Sequence, residues 1–122
     1  MAQILVRIRR GEMVSKAASE KMYRLMTNVY YDEYALSGIP PYIQAASKQG
    51  MVDDSRSELV MVNAPHGDYV FYIATKNIKD QSWKHNNEAW ELARKLSNYL
   101  WNYYEPKSGW QIAEGAGKYV EE

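Results

Sequence analysis

The chain has 122 residues, of which 46% are hydrophobic, and its 15 basic residues balance 15 acidic ones to a formal net charge of zero. These values fit one globular domain with a modest core. They give no electrostatic signal for nucleic acid or an acidic membrane, and no clustered basic face is evident. The absence of cysteine excludes a disulfide framework and a thiolate metal site.

No stretch of the sequence approaches the ~18 apolar residues of a membrane span, so we expect none in this chain. The opening segment MAQILVRIRR places its basic residues after a short apolar patch. A signal peptide has the reverse order, with basic residues before a longer apolar run, so we expect no signal peptide here. The composition leaves the cellular compartment open.

Two helices are predicted at the start of the chain. The apolar positions of the first have helical spacing: Ala2, Ile4, Leu5 and Ile8. Gly11 ends this helix. Its pattern runs back to Met1 without a capping residue, which favours a start inside a larger domain. Ser15 can cap the second helix. The apolar positions of the second helix are Ala18, Met22, Leu25, Met26 and Val29.

Three strands are predicted after a loop at residues 37–41, where two consecutive prolines exclude regular structure. The strands cover residues 42–52, 58–63 and 69–75. The connections between them, at 53–55 and 64–68, have turn composition, and such short connections imply an antiparallel meander. Because the second and third strands are almost continuously apolar, we expect both faces of each to be covered.

A long helix is predicted near the end of the chain. Asn86 or Asn87 can cap it, and Pro106 follows its end. Its apolar stripe consists of Ala89, Trp90, Ala93, Leu96, Leu100 and Tyr103. The predicted fold class is therefore α+β, a three-stranded antiparallel meander with the long C-terminal helix on one face and the two N-terminal helices on the other. We assign residues 1–106 to this domain and expect 107–122 to be a loosely ordered tail.

The first predicted strand contains an unusual pair, Lys48 and Gly50, in the segment ASKQGMV. Both residue types weaken the interior of a strand, so the pair suggests a function or a special position in the strand. A solvated strand residue is the structural alternative for Lys48, and a β-bulge is the alternative for Gly50. Composition and spacing leave these interpretations open.

Several short segments occur in an order that resembles a known family. They are GEMVS between the first two helices, IPP before the first strand, KQG on that strand, APHGDYV between the next two strands and TKN after the last. With the long final helix, this order over roughly residues 1–105 resembles the C-terminal portion of the class A β-lactamases, within the penicillin-recognising serine hydrolases. That family carries the motifs S-x-x-K, S-D-N and K-T-G. KQG is similar to the third motif, with Gln49 where Thr or Ser is usual.

The first two motifs are missing from this sequence, and no Glu-x-x-x-Asn supplies a deacylating carboxylate. In the family all of these lie ahead of the region present here, so the resemblance implies a fragment without its nucleophile. We therefore expect no catalytic side chain in this chain and no hydrolysis by it alone through an acyl-enzyme. No cofactor is expected. By family analogy the complete protein would be exported, to the periplasm or outside the cell.

The resemblance implies that a substrate pairs with an exposed strand edge, as an added strand would. Lys48 would place a positive charge near the carboxylate of a β-lactam or a peptide terminus. Gln49 would stand where a hydroxyl normally binds that carboxylate, and Gly50 would let the ligand approach the backbone. The backbone N–H of Met51 would be one half of an oxyanion hole. The expected substrate-binding residues are therefore Lys48, Gln49, Gly50 and Met51.

Two functional interpretations follow. In the first, the chain is part of a serine hydrolase that forms and hydrolyses an acyl-enzyme from a β-lactam, a peptidoglycan peptide or a small ester, with an N-terminal half or a second copy as partner. In the second, it is a non-catalytic α+β module that binds a peptide or a second copy of itself, which its 11 Tyr and 4 Trp would allow. Neither interpretation includes nucleic acid.

Other reactive side chains match no chemical motif. The spacing of His66 and His85 fits no metal-binding pattern, so no metal site is predicted. Ser47, Ser55 and Ser57 have no base placed beside them in the sequence. We interpret each of these serines as a turn or surface hydroxyl.

Overall fold

A computed structural model describes residues 1–116 of the chain. Its helices are α1 (Ala2–Arg9), α2 (Lys16–Met26), α3 (Glu88–Tyr104) and a short 3₁₀ helix (Ala35–Gly38). Its strands are β1 (Ala45–Val52), β2 (Ser55–Ala64) and β3 (Gly67–Lys76). The predicted α+β fold class with a three-stranded meander is confirmed. Residues 117–122, the end of the predicted tail, lie outside the described residues.

The three strands form one antiparallel sheet in the order β1-β2-β3. The register between β1 and β2 is unbroken and places Gly50 opposite Ser57, so the β-bulge considered for Gly50 is not formed. The predicted first strand is too long at its start. β1 begins at Ala45 because the chain turns just before it, where the Ile43 N–H donates to the Pro40 carbonyl (3.0 Å).

The side chains of β2 alternate between two hydrophobic layers. The layer on the α3 side contains Val60, Val62, Trp90, Ala93 and Trp101. The layer on the side of α1 and α2 contains Leu5, Ile8, Tyr23, Leu59 and Met61. The expectation that both faces are covered is therefore confirmed for β2. It is wrong for β3, where Tyr72 and Ala74 are exposed on the side of α1 and α2, because the hydrophobic layer on that side reaches Val70 and does not include these two residues.

Polar residues decide which face of α2 is buried. Ser19 and Tyr23 are buried there, because their polar atoms find partners. The Ser19 hydroxyl bonds the N–H and the carbonyl of Met13 (2.9 and 2.8 Å), and the Tyr23 hydroxyl donates to Oδ1 of Asn63 (2.6 Å). Leu25, which the spacing assigned to the apolar face, is exposed.

The buried stripe of α3 also departs from the predicted one. It passes through Ser97 and Trp101, whereas Tyr103 is exposed. The 3₁₀ helix explains this, because it packs so closely on α3 that a Cβ added to Gly38 would lie 2.8 Å from Cβ of Ser97. Only a small residue of α3 fits at that contact. The cap of α3 is Asn87, whose side-chain oxygen accepts a backbone N–H of the first turn (3.0 Å).

The turn between α1 and α2 contains a strained residue that suggests a stabilising substitution. Val14 has a φ of 62° and is 94% exposed. The left-handed region costs a residue with a Cβ about 1–2 kcal/mol, and Asn tolerates it better than Val. We expect Val14→Asn to raise the free energy of unfolding by about 1 kcal/mol, measured by urea denaturation.

Val52→Asn is the matched control, because Val52 is also exposed but lies in the extended backbone of β1. We expect that substitution to be neutral or mildly destabilising. An equal gain from both variants would mean that replacing an exposed valine by asparagine stabilises the chain whatever its backbone conformation, and would contradict the strain at Val14.

Candidate functional site

Strand β1 has an open edge within residues 1–116, since its only neighbour in the sheet order is β2. The Asn63 N–H donates to the Gln44 carbonyl (3.0 Å), and these two residues continue the register of β1 against β2. Backbone groups in an antiparallel pair point alternately toward the partner strand and away from it. The N–H and C=O groups of Ser47, Gln49 and Met51 therefore face the open edge.

Lys48 brings a positive charge to the same edge. Its side chain leaves β1 on the face shared with Leu59 and is exposed. Its Nζ donates to the carbonyl oxygen of Gln49 (2.6 Å), one of the groups that face outward. Lys48 forms no ion pair with another described residue. The ammonium group therefore lies where an anionic ligand along the edge would meet it.

Gly50 is exposed on one side and closely packed on the other. A Cβ at this position would lie 3.0 Å from Oγ of Ser57, and that hydroxyl donates to the Gly50 carbonyl (3.0 Å). A larger residue would have to displace Ser57. Close packing against β2 is thus one reason for glycine here. Because glycine has no side chain, it also leaves the backbone accessible on its exposed side.

The side chain of Gln49 turns inward, toward the α3 side of the sheet. Its Nε2 lies 2.9 Å from the Tyr31 carbonyl, 2.9 Å from Oγ of Ser47 and 3.0 Å from Oε1 of Glu58. An amide nitrogen carries two hydrogens, so three acceptors already compete for them. A ligand carboxylate would have to displace one of these contacts, and a side-chain role for Gln49 in binding stays a prediction.

Glu58, which is not among the predicted site residues, is the centre of this network. The side chain is fully buried on β2. Its Oε1 accepts from the Ser47 hydroxyl (2.7 Å) and the Gln49 amide, and its Oε2 accepts from the Ala35 N–H (2.8 Å). Burial raises the pKa of the Glu58 carboxyl above its ordinary value, although the hydrogen bonds from Ser47, Ala35 and Gln49 act in the opposite direction. The available signal was its position two residues before Val60 on a buried strand.

The three candidate serines have structural partners. Ser55 donates to the Thr75 carbonyl (2.8 Å), and Ser57 bonds the neighbouring strand as described above. Ser47 lies beside the carboxylate of Glu58, but it is fully buried, so its hydroxyl does not face a ligand at the surface. The interpretation of these serines as turn or surface hydroxyls therefore fits Ser55 and Ser57, which are partly exposed, and is wrong for Ser47, which is buried in β1 beside Glu58.

The two histidines contact different parts of the structure. Nδ1 of His66 is 2.6 Å from Oε2 of Glu105, and its backbone N–H donates to the same carboxylate (2.9 Å) at the end of α3. The carbonyl of His85 accepts from Arg94 (2.6 Å). Within residues 1–116, no three His, Cys, Asp or Glu side chains are grouped as a metal site requires. In the same part of the chain, none of the helices combines the length and apolarity needed to cross a bilayer.

The model of a beta-lactamase enzyme family matches residues 1–104 of the chain. Curated protein sequences give no match. Among solved structures, PBP-A has 21% sequence identity and a TM-score of 0.73, covering 86% of this chain and 38% of that one. A beta-lactamase from Sphaerobacter thermophilus has 14% identity and a TM-score of 0.74, covering 84% and 38%. A beta-lactamase from Burkholderia vietnamiensis has 15% identity and a TM-score of 0.71, covering 85% and 39%.

These likenesses to solved structures show a shared fold, since the identities are low while the TM-scores are high. That fold agrees with the one implied by the resemblance of the short segments. The chain spans 38–39% of the length of the structures it matches. The remaining part of those structures has no counterpart in the residues described above.

Proposed function

Because the chain belongs to the beta-lactamase enzyme family, we propose that it is part of a serine hydrolase in which β1 forms one wall of the substrate groove. The observation that supports this proposal is the open edge of β1, which carries the outward-facing N–H of Met51 and the ammonium group of Lys48. The substrate would be a β-lactam, a peptidoglycan peptide or a small ester.

In this proposal the substrate lies along β1 as an added strand. The backbone groups of Gln49 and Met51 would form hydrogen bonds to it, and Lys48 would attract its carboxylate. A charge in a partly dry groove acts more strongly than one in water. The binding contribution of Gln49 would come from its backbone, because its side-chain amide is already held by Glu58, Ser47 and Tyr31.

The proposed reaction is acyl transfer to a serine followed by hydrolysis. The serine oxygen attacks the acyl carbonyl, the C–N or C–O bond to the leaving group breaks, and the serine proton passes to that group. Water then cleaves the ester and restores the hydroxyl. The Met51 N–H would stabilise the charge on the carbonyl oxygen, a contribution worth about 10²–10³ in rate per donor. The nucleophile would come from polypeptide outside this sequence, in which no serine stands three residues before a lysine.

We expect the purified 122-residue chain to show neither steady nitrocefin turnover nor covalent labelling by a fluorescent penicillin, because the covalent route needs the missing serine. Co-expression with an N-terminal segment of a family member that carries S-x-x-K and S-D-N should restore labelling, read by gel fluorescence. In that assembled pair, Lys48→Gln should slow labelling by about tenfold or more, since one charge-assisted contact is lost.

Lys76→Gln is the control for Lys48→Gln, because Lys76 is also an exposed strand lysine but lies at the end of β3. It should leave labelling unchanged. Steady nitrocefin turnover by the isolated chain would overturn the expected inactivity. No labelling from a well-folded assembled pair would count against the hydrolase proposal itself.

A non-catalytic module that associates with a second copy is the alternative function. The observation that favours it is the exposed apolar stripe on α3, formed by Leu92, Tyr99 and Tyr103. Size-exclusion chromatography with light scattering separates the two proposals. A well-folded dimer that Tyr99→Glu converts to a monomer would support self-association, whereas a monomer that binds an N-terminal segment would support the hydrolase proposal.

A further inference from the structure

The neutral net charge of the chain conceals an uneven distribution of charge. Residues 1–26 contain six basic and two acidic side chains, so α1 and α2 together carry a formal charge of +4 in a chain whose total is zero. The remaining residues therefore carry −4. This corrects the expectation from composition that the chain has no clustered basic face. The clustering is visible only when the two helices are considered together.

A groove of about 260 Å³, lined by residues from the end of α1 and from α2, takes up four of these six basic residues. Four cationic residues line it: Arg9, Arg10, Lys16 and Arg24. Glu20 is its acidic residue, and the buried Tyr23 also lines it. The size of the groove suits a small molecule better than a polymer or a folded partner.

Arg9 forms the fixed side of the groove. Its Nε donates to Oδ2 of Asp68 (2.8 Å), and its guanidinium lies 5.2 Å from the centre of the Tyr23 ring. The Asp68 carboxylate is the first cause of the raised pKa of Arg9. Arg9 is therefore already neutralised and positioned, and the excess positive charge of the groove must come from the other three cations.

Arg10, Lys16 and Arg24 have no such partner. Their side chains form neither an ion pair nor a hydrogen bond with another residue in the part of the chain that the structure describes. Glu20 also makes no ion pair there, although Lys16 and Arg24 are each four residues from it on α2. Three unpaired cations and one unpaired carboxylate leave the groove with an excess of positive charge.

The position of Lys16 makes the excess positive charge of the groove more unfavourable in the absence of an anion. Lys16 is the first residue of α2, and the first turn of that helix contains no acidic residue. The positive end of the helix dipole favours anions and disfavours cations at this point. An anion between Lys16 and the two arginines would relieve both the dipole interaction and the mutual repulsion of the cations.

We propose that this groove is a binding site for a small polyanion, a molecule with two or more phosphate or carboxylate groups. Arg10 and Arg24 supply guanidinium groups suited to the oxygens of such groups, and Lys16 supplies a point charge. Glu20 weakens binding, because its negative charge repels an anionic ligand. None of the residues from Lys48 to Met51 lines the groove, and its occupation does not depend on the proposed hydrolase function.

The test is isothermal titration calorimetry of the 122-residue chain with inorganic pyrophosphate, at low and at moderate salt. We expect saturable binding of one ligand per chain that weakens as salt rises. A variant with Arg10, Lys16 and Arg24 all replaced by Gln should bind at least about tenfold more weakly. Glu20→Gln should bind more tightly than the unmodified chain. Circular dichroism checks that each variant is folded.

A second triple variant provides the control, with Lys76, Lys79 and Lys95 replaced by Gln, since all three are exposed and lie outside the groove. It removes the same charge and should bind pyrophosphate as the unmodified chain does. Equal weakening by both triple variants, or no saturable binding by the unmodified chain at millimolar pyrophosphate, would overturn the proposal. Citrate in place of pyrophosphate tells whether carboxylates share the site with phosphates.

Discussion

Replacing Glu58 by alanine is expected to lower the free energy of unfolding by about 3 kcal/mol, because two buried donors lose their acceptor and a half-buried amide loses one of its three. The buried donors are the Ser47 hydroxyl and the Ala35 N–H, and the half-buried amide is that of Gln49. A buried carboxylate is itself costly to desolvate, which keeps the expected loss below the sum of three separate penalties. The loss is measured by urea denaturation.

Glu88→Ala is the matched control for Glu58→Ala. The Glu88 carboxylate also accepts a backbone N–H, that of Lys79 (2.9 Å), but it is exposed, so water can replace it. We expect a loss below about 1 kcal/mol there. If Glu58→Ala cost no more than Glu88→Ala, the buried network would not contribute to holding β1 and the 3₁₀ helix to β2.

The pH dependence of stability separates the effect of the titrating Glu58 carboxyl from that of an uncharged side chain of the same size. Because burial raises its folded-state pKa above the ordinary value of 4.5, the folded chain binds the proton more tightly than the unfolded chain does. This contribution to stability is complete below the ordinary value and is lost as pH rises through the folded pKa. Glu58→Gln should remove that loss.

The comparison with Glu58→Gln also cancels other titrating groups. The Glu105 carboxyl has a lowered pKa, chiefly from the His66 N–H bond, and stabilises the fold as pH rises, the opposite direction. Glu33 and Tyr34 are also titratable groups close to Glu58 or its neighbours. All of these are present in both proteins, so the difference between the two stability profiles reports Glu58. Parallel profiles would contradict the assignment.

The order of elements was predictable from local chemistry. Ser15 and Asn87 cap the helices that follow them because their side-chain oxygens accept N–H groups of the first turn. The acidic pair at residues 53–54 makes a tight hairpin turn. The continuous apolar run of β2 predicted a strand covered on both faces. Each of these features depends on residues close together in the sequence.

The polar interior was not predictable in the same way. Arg56 and Glu58 are charged residues at the start of β2, and a local pattern assigns such residues to solvent. Both are buried because of distant partners. The Ala35 N–H that bonds Glu58 is 23 positions away in sequence, and Arg56 lies 4.2 Å from the ring centre of Trp83. No local spacing specifies either contact.

The candidate site was predictable in part. The family resemblance identified the segment around Lys48 and Met51, and the tight turn after β1 fixes which of its backbone groups face β2. The direction of the Gln49 side chain was not accessible, since it depends on Tyr31 and Glu58 from other segments. The expected roles of these residues in substrate binding remain predictions, and the labelling experiment tests them.

Trp90→Ala is expected to cost about 3–5 kcal/mol of the free energy of unfolding, the range for truncating a large aromatic core residue. Trp90 is 1% exposed and lies in the α3 layer, where its ring stacks on that of Tyr34 with centres 3.7 Å apart. Tyr34 directly precedes Ala35, which binds Glu58. Losing the Trp90 ring therefore loosens the support of the buried carboxylate as well. A domain of this size has about 5–15 kcal/mol in total, so the variant loses a large share of its stability and its unfolding midpoint should fall, which thermal denaturation measures.

Two further variants separate this role from general effects of removing tryptophan. The Arg56 guanidinium lies 4.2 Å from the ring centre of Trp83 and 5.8 Å from that of Trp90. Trp83 is 56% exposed, so Trp83→Ala should cost only about 0.5–1 kcal/mol, the value of an exposed cation–π contact. Trp90→Phe should cost less than Trp90→Ala, because it keeps a stacked ring and Nε1 of Trp90 has no acceptor among the described residues. Equal losses from Trp83→Ala and Trp90→Ala would contradict a special role of Trp90, since both remove an indole beside Arg56 and only one removes the ring that holds Tyr34.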